Sequence, residues 1–535
     1  MLQLGYLGDD LPASLQHGYL TLEHIAVWDQ IRDQILGWIE REGRFYPASA
    51  VYAELFFAWN PPMVLEKVVQ LAFVLLNVVT LFFVTRLLGG ERFAFAASLA
   101  FVATLQVRAW HDPIIMFFVI LPVTVEALLA SLWFWLLAID RRSLVWAAAA
   151  AGMGLLALLN YELSYPIVLA IAACCWIRAD SRRWRVIALA GTIGPLVCLA
   201  ALDVALRSRF HPHVYSLSVD TAANLRTFWQ QFAAAIPLSY AFFRTGANVF
   251  GCLMQGSSTA YLAGILAFFM AAFAFRPGAR IGRRNESVLL IFALAMWIFP
   301  AAVVSFGHGL QQTGSIANAY LNVYVESVGV AIAIAWLLSR LNVRFAAAAL
   351  FAVAVELTAV NDETSIRSFI PGWTTTRIAL DRAFASGLAD PIAARPGFEA
   401  PVLYLNGQHP MAPWGLPALV YQDSGRVVRG ADQDAFDPAG YCAGVAPGAR
   451  FCVPRQPVWL LDVGPGQTAV AIDRIAAVER RAGGFVPLAD RWYVAGTAAD
   501  LARLEKFSVS AVTRGATIVY DVTDCLGAPP ADVWS

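Results

Sequence analysis

Ten apolar stretches leave this chain few ways to fold: 65–88, 92–107, 114–139, 144–160, 165–178, 186–206, 258–276, 287–306, 319–339 and 343–360. A run of about 20 apolar residues matches the hydrocarbon thickness of a bilayer. Only 14% of the residues are charged, against about 25% in an ordinary soluble protein. A water-soluble core cannot absorb that much apolar sequence, so the pattern predicts a polytopic α-helical membrane protein. Two stretches, 92–107 and 165–178, are short enough to be re-entrant or supported by neighbouring helices.

Arginine placement orients the spans, because cationic residues concentrate in cytoplasmic loops. Arg86 and Arg92 flank the first loop, and Arg141 and Arg142 sit in the third. Arg178, Arg182, Arg183 and Arg185 occupy the fifth, Arg276, Arg280, Arg283 and Arg284 the seventh, and Arg340 and Arg344 the ninth. The alternate short loops carry only Arg108. Residues 1–64, 107–113, 160–165, 207–257, 307–318 and all after 360 are therefore expected on the outer face. No span precedes the external segment 1–64, which predicts either an upstream helix, giving eleven spans in full, or unaided translocation of the N-terminus.

Three regions follow. Residues 1–64 read as an external loop with interfacial helices. In 22–41, Ile25, Trp28, Ile31, Ile35, Trp38 and Ile39 form one helical stripe opposite Glu23, Asp29, Gln30, Asp33, Gln34 and Glu40, as in a helix lying at headgroup depth. A second short apolar helix is expected at 49–59. Residues 65–360 read as the membrane bundle, with an external loop at 207–257 in which Leu225, Phe228, Trp229, Phe232 and Ala235 recur at helical spacing. Residues 361–535 read as an external mixed α/β domain, with β-like runs at Pro401–Leu405, Val458–Val463, Ala469–Ile475 and Thr517–Val522. In that domain Cys442 and Cys452 either pair in an oxidising compartment or remain free thiols. Cys174, Cys175 and Cys198 lie in spans and read as packing residues. A formal net charge of zero argues against a nucleic-acid partner, which needs a basic face. No repeat, zinc signature or nucleotide loop is visible.

The candidate chemistry is acidic and external. Asp9 and Asp10, in Gly-Tyr-Leu-Gly-Asp-Asp-Leu-Pro, are placed to take a proton from a hydroxyl or to hold a divalent cation such as Mg or Mn; alternatively they cap a helix over 11–17. Arg108-Ala109-Trp110-His111-Asp112-Pro113 offers a second acid, Asp112, and two candidate phosphate binders, Arg108 and His111. Glu162, in Asn-Tyr-Glu-Leu-Ser-Tyr-Pro, is costly at that depth unless it is paired or faces water. It is an acceptor-side or second acid, or else a structural partner for broken helix ends. Arg207, Arg209, His211, His213 and Arg244 could wall a lipid phosphate, each alone also reading as a snorkelling residue. Arg44, Tyr161, His308, Tyr320 and Tyr324 are candidates to line the cavity.

An external Asp-Asp, then an interfacial helix, then Gly43-Arg44-Phe45-Tyr46-Pro47 before a span resembles the GT-C superfamily of membrane glycosyltransferases, in particular its bacterial O-antigen glucosyltransferase and arabinosyl- or mannosyltransferase-like branches. The resemblance covers the architecture of 1–360. It implies transfer of a hexose or pentose from a polyprenyl-phosphate donor to a cell-envelope glycan (lipopolysaccharide among them) or lipid, at the periplasmic face of a bacterial inner membrane. It also implies an acid of the first external loop as base: Asp10 or Asp9, with Asp10 favoured. A flippase or transporter of envelope lipids is the competing reading, and a non-catalytic envelope scaffold a third. Glu126, Asp203 and Glu356 are scattered over different spans, without the symmetry of a transporter.

Overall fold

A computed structural model of the chain describes residues 10–107, 112, 114–210, 220–237, 239, 257–274, 281–307, 311, 322–340 and 344–369, and beyond them short elements between 402 and 521. Two compact units emerge. One holds Asp10, 28–56 and 61–370, the other 11–27, 57–60 and the chain from 371 onward.

The helices, in chain order, are α1 (Asp10–Ala13), α2 (Gln16–Leu22), α3 (Val27–Glu42), α4 (Pro47–Ala58), α5 (Met63–Gly89), α6 (Glu91–Thr104), α7 (Ile120–Arg141) and α8 (Leu144–Asn160). They continue with α9 (Ser164–Arg178), α10 (Arg182–Phe210), α11 (Thr221–Ala234), α12 (Ser258–Ala274), α13 (Arg283–Ser305), α14 (Val323–Arg340), α15 (Arg344–Phe369) and α16 (Gly415–Ser424). Prolines open several of them, where a missing N–H costs nothing: Pro47 begins α4, and Pro61-Pro62 precede α5. The Asp220 carboxylate caps α11 by accepting from the N–H groups of Ala222 and Ala223 at 2.9 and 3.1 Å.

Each of the ten apolar stretches overlaps a helix. Among the described residues, six helices are long and apolar enough to cross a membrane: α5, α7, α10, α13, α14 and, over Phe345–Ile366, α15. Three more, α8, α9 and α12, are apolar but shorter. The segment 114–119, expected to begin a span, is instead a series of turns before α7.

The helix ends bearing the arginine-rich loops meet at one end of the bundle. Arg178 pairs with Asp140 at 2.7 and 2.9 Å. Arg284 pairs with Asp180 and donates to the Ile177 carbonyl. Asn285 donates to Leu88 O at 3.1 Å, and Arg340 pairs with Glu286. The first, third, fifth, seventh and ninth loops are thus hydrogen-bonded into one layer, as their shared arginine content requires of a common membrane face. Within the bundle, α13 and α14 approach closely at Gly329, where a Cβ would lie 2.3 Å from the Ala293 carbonyl oxygen. Cys174 and Cys175 are buried, as expected of packing residues. Cys198 is exposed instead, because little of α10 is covered by other helices.

In the second unit α2 lies against α16, and Gly18 permits the contact, since a Cβ there would meet the Ala418 carbonyl at 2.1 Å. The Gln422 amide donates to Asn60 at 2.8 Å. Val402–Leu405 pairs in parallel with Arg429–Gly430 and Val458–Asp462, and Thr468–Ile472 adds antiparallel. Cys442–Val445 and Phe451–Pro454 pair antiparallel with Cys442 opposite Pro454 and Cys452 opposite Val445.

Candidate active site

The first residue of α1, Asp10, is 2% exposed and belongs to a dry polar cluster built on the first two turns of α5. Glu66, Lys67 and Gln70 are each 0% exposed. Spacing explains their meeting, since positions 66 and 70 are one helical turn apart. Gln70 Nε2 donates to Asp10 Oδ2 at 3.2 Å and to Glu66 Oε1 at 2.8 Å. Lys67 Nζ donates to Glu66 Oε1 at 2.9 Å, to Gln70 Oε1 at 3.3 Å and to the Ile115 carbonyl at 2.8 Å. The Phe118 N–H donates to Asp10 Oδ1 at 3.0 Å.

Burial holds the Asp10 carboxyl well above the usual carboxylate range; the neighbouring Glu66 charge and the hydrogen bond to Glu66 add to the rise, while Lys67 and the Phe118 N–H oppose it. Gln70 Nε2 bridges the two carboxyl groups, so Asp10 and Glu66 are held side by side in one buried cluster. Glu66 Oε2 is buried without a partner among the described residues. The cluster therefore combines a poised acid–base pair with one fixed positive charge.

A second polar cluster sits where 43–46 meets 160–162. The Arg44 guanidinium pairs with Glu162 through both nitrogens, with Nε to Oε2 at 3.2 Å. It lies over the rings of Tyr46 and Tyr161, at 4.6 and 5.7 Å to their centroids. Trp38 of α3 packs edge-on against Tyr46 at 4.7 Å. Beside it the Tyr165 hydroxyl donates to Asp203 at 2.7 Å.

Of the other expected site residues, Asp112 is buried, accepts from the Ile114 N–H at 3.0 Å and lines a small cavity of about 10 Å³ with Thr104, Tyr324 and Ser327. That space is about one water molecule. Tyr324 is buried and its hydroxyl accepts from Asn77 at 2.8 Å. Arg209 is exposed, over the Phe210 ring at 5.4 Å. Asp9, Arg108, His111, His211, His213, Arg244, His308 and Tyr320 lie outside the described residues. Among the described residues, no group of three or more His, Cys, Asp or Glu side chains is placed to hold a metal ion; positive charge beside Asp10 comes from Lys67. The intramembrane acids are dispersed: Glu126 accepts from Thr80 at 2.7 Å, and the Glu356 side chain packs beside Gly264.

Sequence reasoning passed over Glu66, Lys67 and Gln70. The signal was present: Lys67 is one of only two lysines in the chain, and Glu-Lys follows Asn-Pro-Pro at the mouth of a long apolar run.

No protein-family model matches the sequence, and the search of curated proteins returns no significant match. Among solved structures, the chain is similar to that of ArnT from Cupriavidus metallidurans bound to undecaprenyl phosphate, with 13% identity over 99% of this chain and 96% of that one, at a TM-score of 0.31. It is similar to the Archaeoglobus fulgidus oligosaccharyltransferase in complex with Zn and sulfate, at 17% identity and a TM-score of 0.35 over 71% of this chain and 53% of that one. A third is the oligosaccharyltransferase AglB from the same organism in complex with an inhibitory peptide and a dolichol-phosphate, at 15% identity, a TM-score of 0.35 and 79% and 60% coverage. Their superposition is too loose to carry a residue's role across, so the site is argued from this chain's own geometry.

Proposed function

We propose that this chain is a GT-C-type membrane glycosyltransferase with ten spans and a C-terminal external α/β domain. It moves a sugar from a polyprenyl-phosphate donor to a cell-envelope glycan or lipid at the periplasmic face. The observation that carries the reading is the buried Asp10–Glu66–Lys67–Gln70 cluster at the entrance of α5. Asp10 acts as the base: a carboxylate whose proton affinity has been raised by burial accepts a hydroxyl proton more readily than an ordinary one. Lys67 supplies the fixed positive charge for the phosphate that leaves, and a dry setting makes that charge worth more than it would be in water. Bond making joins the acceptor oxygen to the sugar's anomeric carbon. Bond breaking frees the polyprenyl phosphate, and the acceptor proton ends on Asp10.

The competing transporter reading needs a connected path of intramembrane charge. The described acids Glu126 and Asp203 instead sit on separate helices, each accepting from one local hydroxyl.

Replacing Asp10 by Asn keeps the shape and removes the base. Mass spectrometry of envelope glycans and lipids from cells carrying D10N is expected to show loss of one hexose or pentose, with the protein still present in the membrane fraction. An unchanged glycan profile with normal insertion overturns the reading.

A further inference from the structure

Phe117 and Val119 both adopt left-handed backbone conformations, φ 60° and 57°. For a β-branched valine this is a true outlier, and such a conformation persists only where its surroundings impose it. The residue between them is Phe118, whose N–H donates to Asp10 Oδ1. Ile115, just before, supplies the carbonyl that accepts from Lys67. The strained segment therefore contributes the two backbone groups that meet the acid and the ammonium.

Asn160, the last residue of α8, is 0% exposed and uses its whole amide to fix the next step of this chain. Its Nδ2 donates to the Ile120 carbonyl and to Thr124 Oγ1, both at 2.7 Å, and its Oδ1 accepts from the Tyr52 hydroxyl at 2.9 Å. Tyr52 and Phe56, one turn apart on α4, also grip the Phe118 ring, with centroids 6.4 Å away and, stacked, 3.9 Å away. We infer that Asn160 and Tyr52 are positioning residues: by pinning Ile120 and the Phe118 ring they force the 117–119 segment into its strained path and keep the Phe118 N–H on the Asp10 carboxylate. This rests on the proposed base role only for its consequence in catalysis; the geometry itself is independent of that role.

Among the described residues, the groups facing Asp10 are Glu66, Lys67 and Gln70 from α5 and the Phe118 N–H. Of these, only the N–H depends on the Asn160–Tyr52 pair. A donor to the charged carboxylate favours ionisation, so loosening it moves the Asp10 titration to higher pH. Tyr52→Phe deletes one hydroxyl and retains the ring that grips Phe118. In the full-length protein in lipid nanodiscs, infrared difference spectra taken across a pH series show the protonated-carboxyl band of Asp10 as the one lost in D10N. Its midpoint is expected to move upward in Y52F and further in N160A, with the cooperative thermal transition of Y52F retained. An Asp10 midpoint in Y52F equal to that of the unaltered protein overturns the inference, whether or not N160A folds. Because no sugar substrate enters this measurement, its failure is separate from failure of the glycosyltransferase reading, which the glycan profile of D10N decides.

Discussion

The two polar clusters on the first unit look alike as lists of residues and differ in how their charges close. Around Arg44 the guanidinium meets Glu162 through two of its nitrogens, is walled by Tyr46 and Tyr161, and has the Asp203 carboxylate, itself near Arg207, close enough to interact. Around Asp10 there are two carboxyl groups for one ammonium, and one Glu66 oxygen has no partner among the described residues. The first carboxylate is held by a two-pronged ion pair, whereas the second cluster keeps a buried oxygen that no described group meets. The first cluster fastens the corner between α3 and α4 to the start of α9, and the second is the one we propose for chemistry.

The largest effect that could break this contrast concerns Lys67. Lys67→Met removes the ammonium but keeps the volume. Sugar transfer, followed as the glycan product in cells, is expected to fall by about two to four orders of magnitude, the scale of losing a fixed charge from a developing anion. The protein should remain folded, because methionine fills the volume of the lysine stem. Transfer within threefold of the unaltered protein would remove Lys67 from the chemistry.

Glu162→Gln probes the ion-paired side. It takes the Glu162 charge from the Arg44 guanidinium, whose side chain is only 10% exposed, a loss of about 2–4 kcal/mol for a largely buried pair. The expected outcome is a lower thermal midpoint, with turnover per folded molecule almost unchanged. The double variant Arg44→Met with Glu162→Leu should recover most of the stability, since an apolar pair of similar size needs no desolvation. A collapse of turnover without loss of stability would instead return Glu162 to the role of second acid.

The contrast also shows what the sequence could disclose. The apolar helices and the grouping of their ends were legible because apolar runs and arginines are local signals. Asn285, Arg178 and Arg284 then join the alternate loops just where the arginine count had grouped them. The amphipathic stripe at 22–41 became α3, with Trp28 exposed and Ile31 buried. Asp10 was singled out by its position. Its partners were not, because Glu66, Lys67 and Gln70 sit inside a run that reads as span, and only a three-dimensional contact 60 residues long in sequence brings Gln70 to Asp10. The turns at 114–119 were hidden for a related reason. Ile, Met, Phe and Val favour regular structure by propensity, and only tertiary contacts with α4 and Asn160 hold Phe117 and Val119 at positive φ.

Glu54 offers the mildest test, since it isolates burial from charge. It lies on α4 between Tyr52 and Phe56, its Oε2 is buried without a partner among the described residues, and desolvation alone pushes its carboxyl from 4.5 up to about 7. Asp10 shares that cause and adds Glu66, Lys67 and a backbone donor to it. A carboxyl with a raised folded pKa binds its proton more tightly folded than unfolded. Its stabilising contribution is therefore complete below about pH 4.5 and is lost as the pH climbs through about 7. Over that window the unaltered protein should lose up to about 3 kcal/mol through this group, and less in proportion to its partial exposure. Glu54→Gln, neutral at every pH, should flatten that part of the stability curve and raise the thermal midpoint at pH 8 while leaving it unchanged at pH 4. If E54Q follows the same pH dependence as the unaltered protein, burial by itself does not shift carboxyl groups in this region. The rise at Asp10 would then have to come from Glu66, making the neighbouring carboxyl rather than the dry setting the source of its basicity.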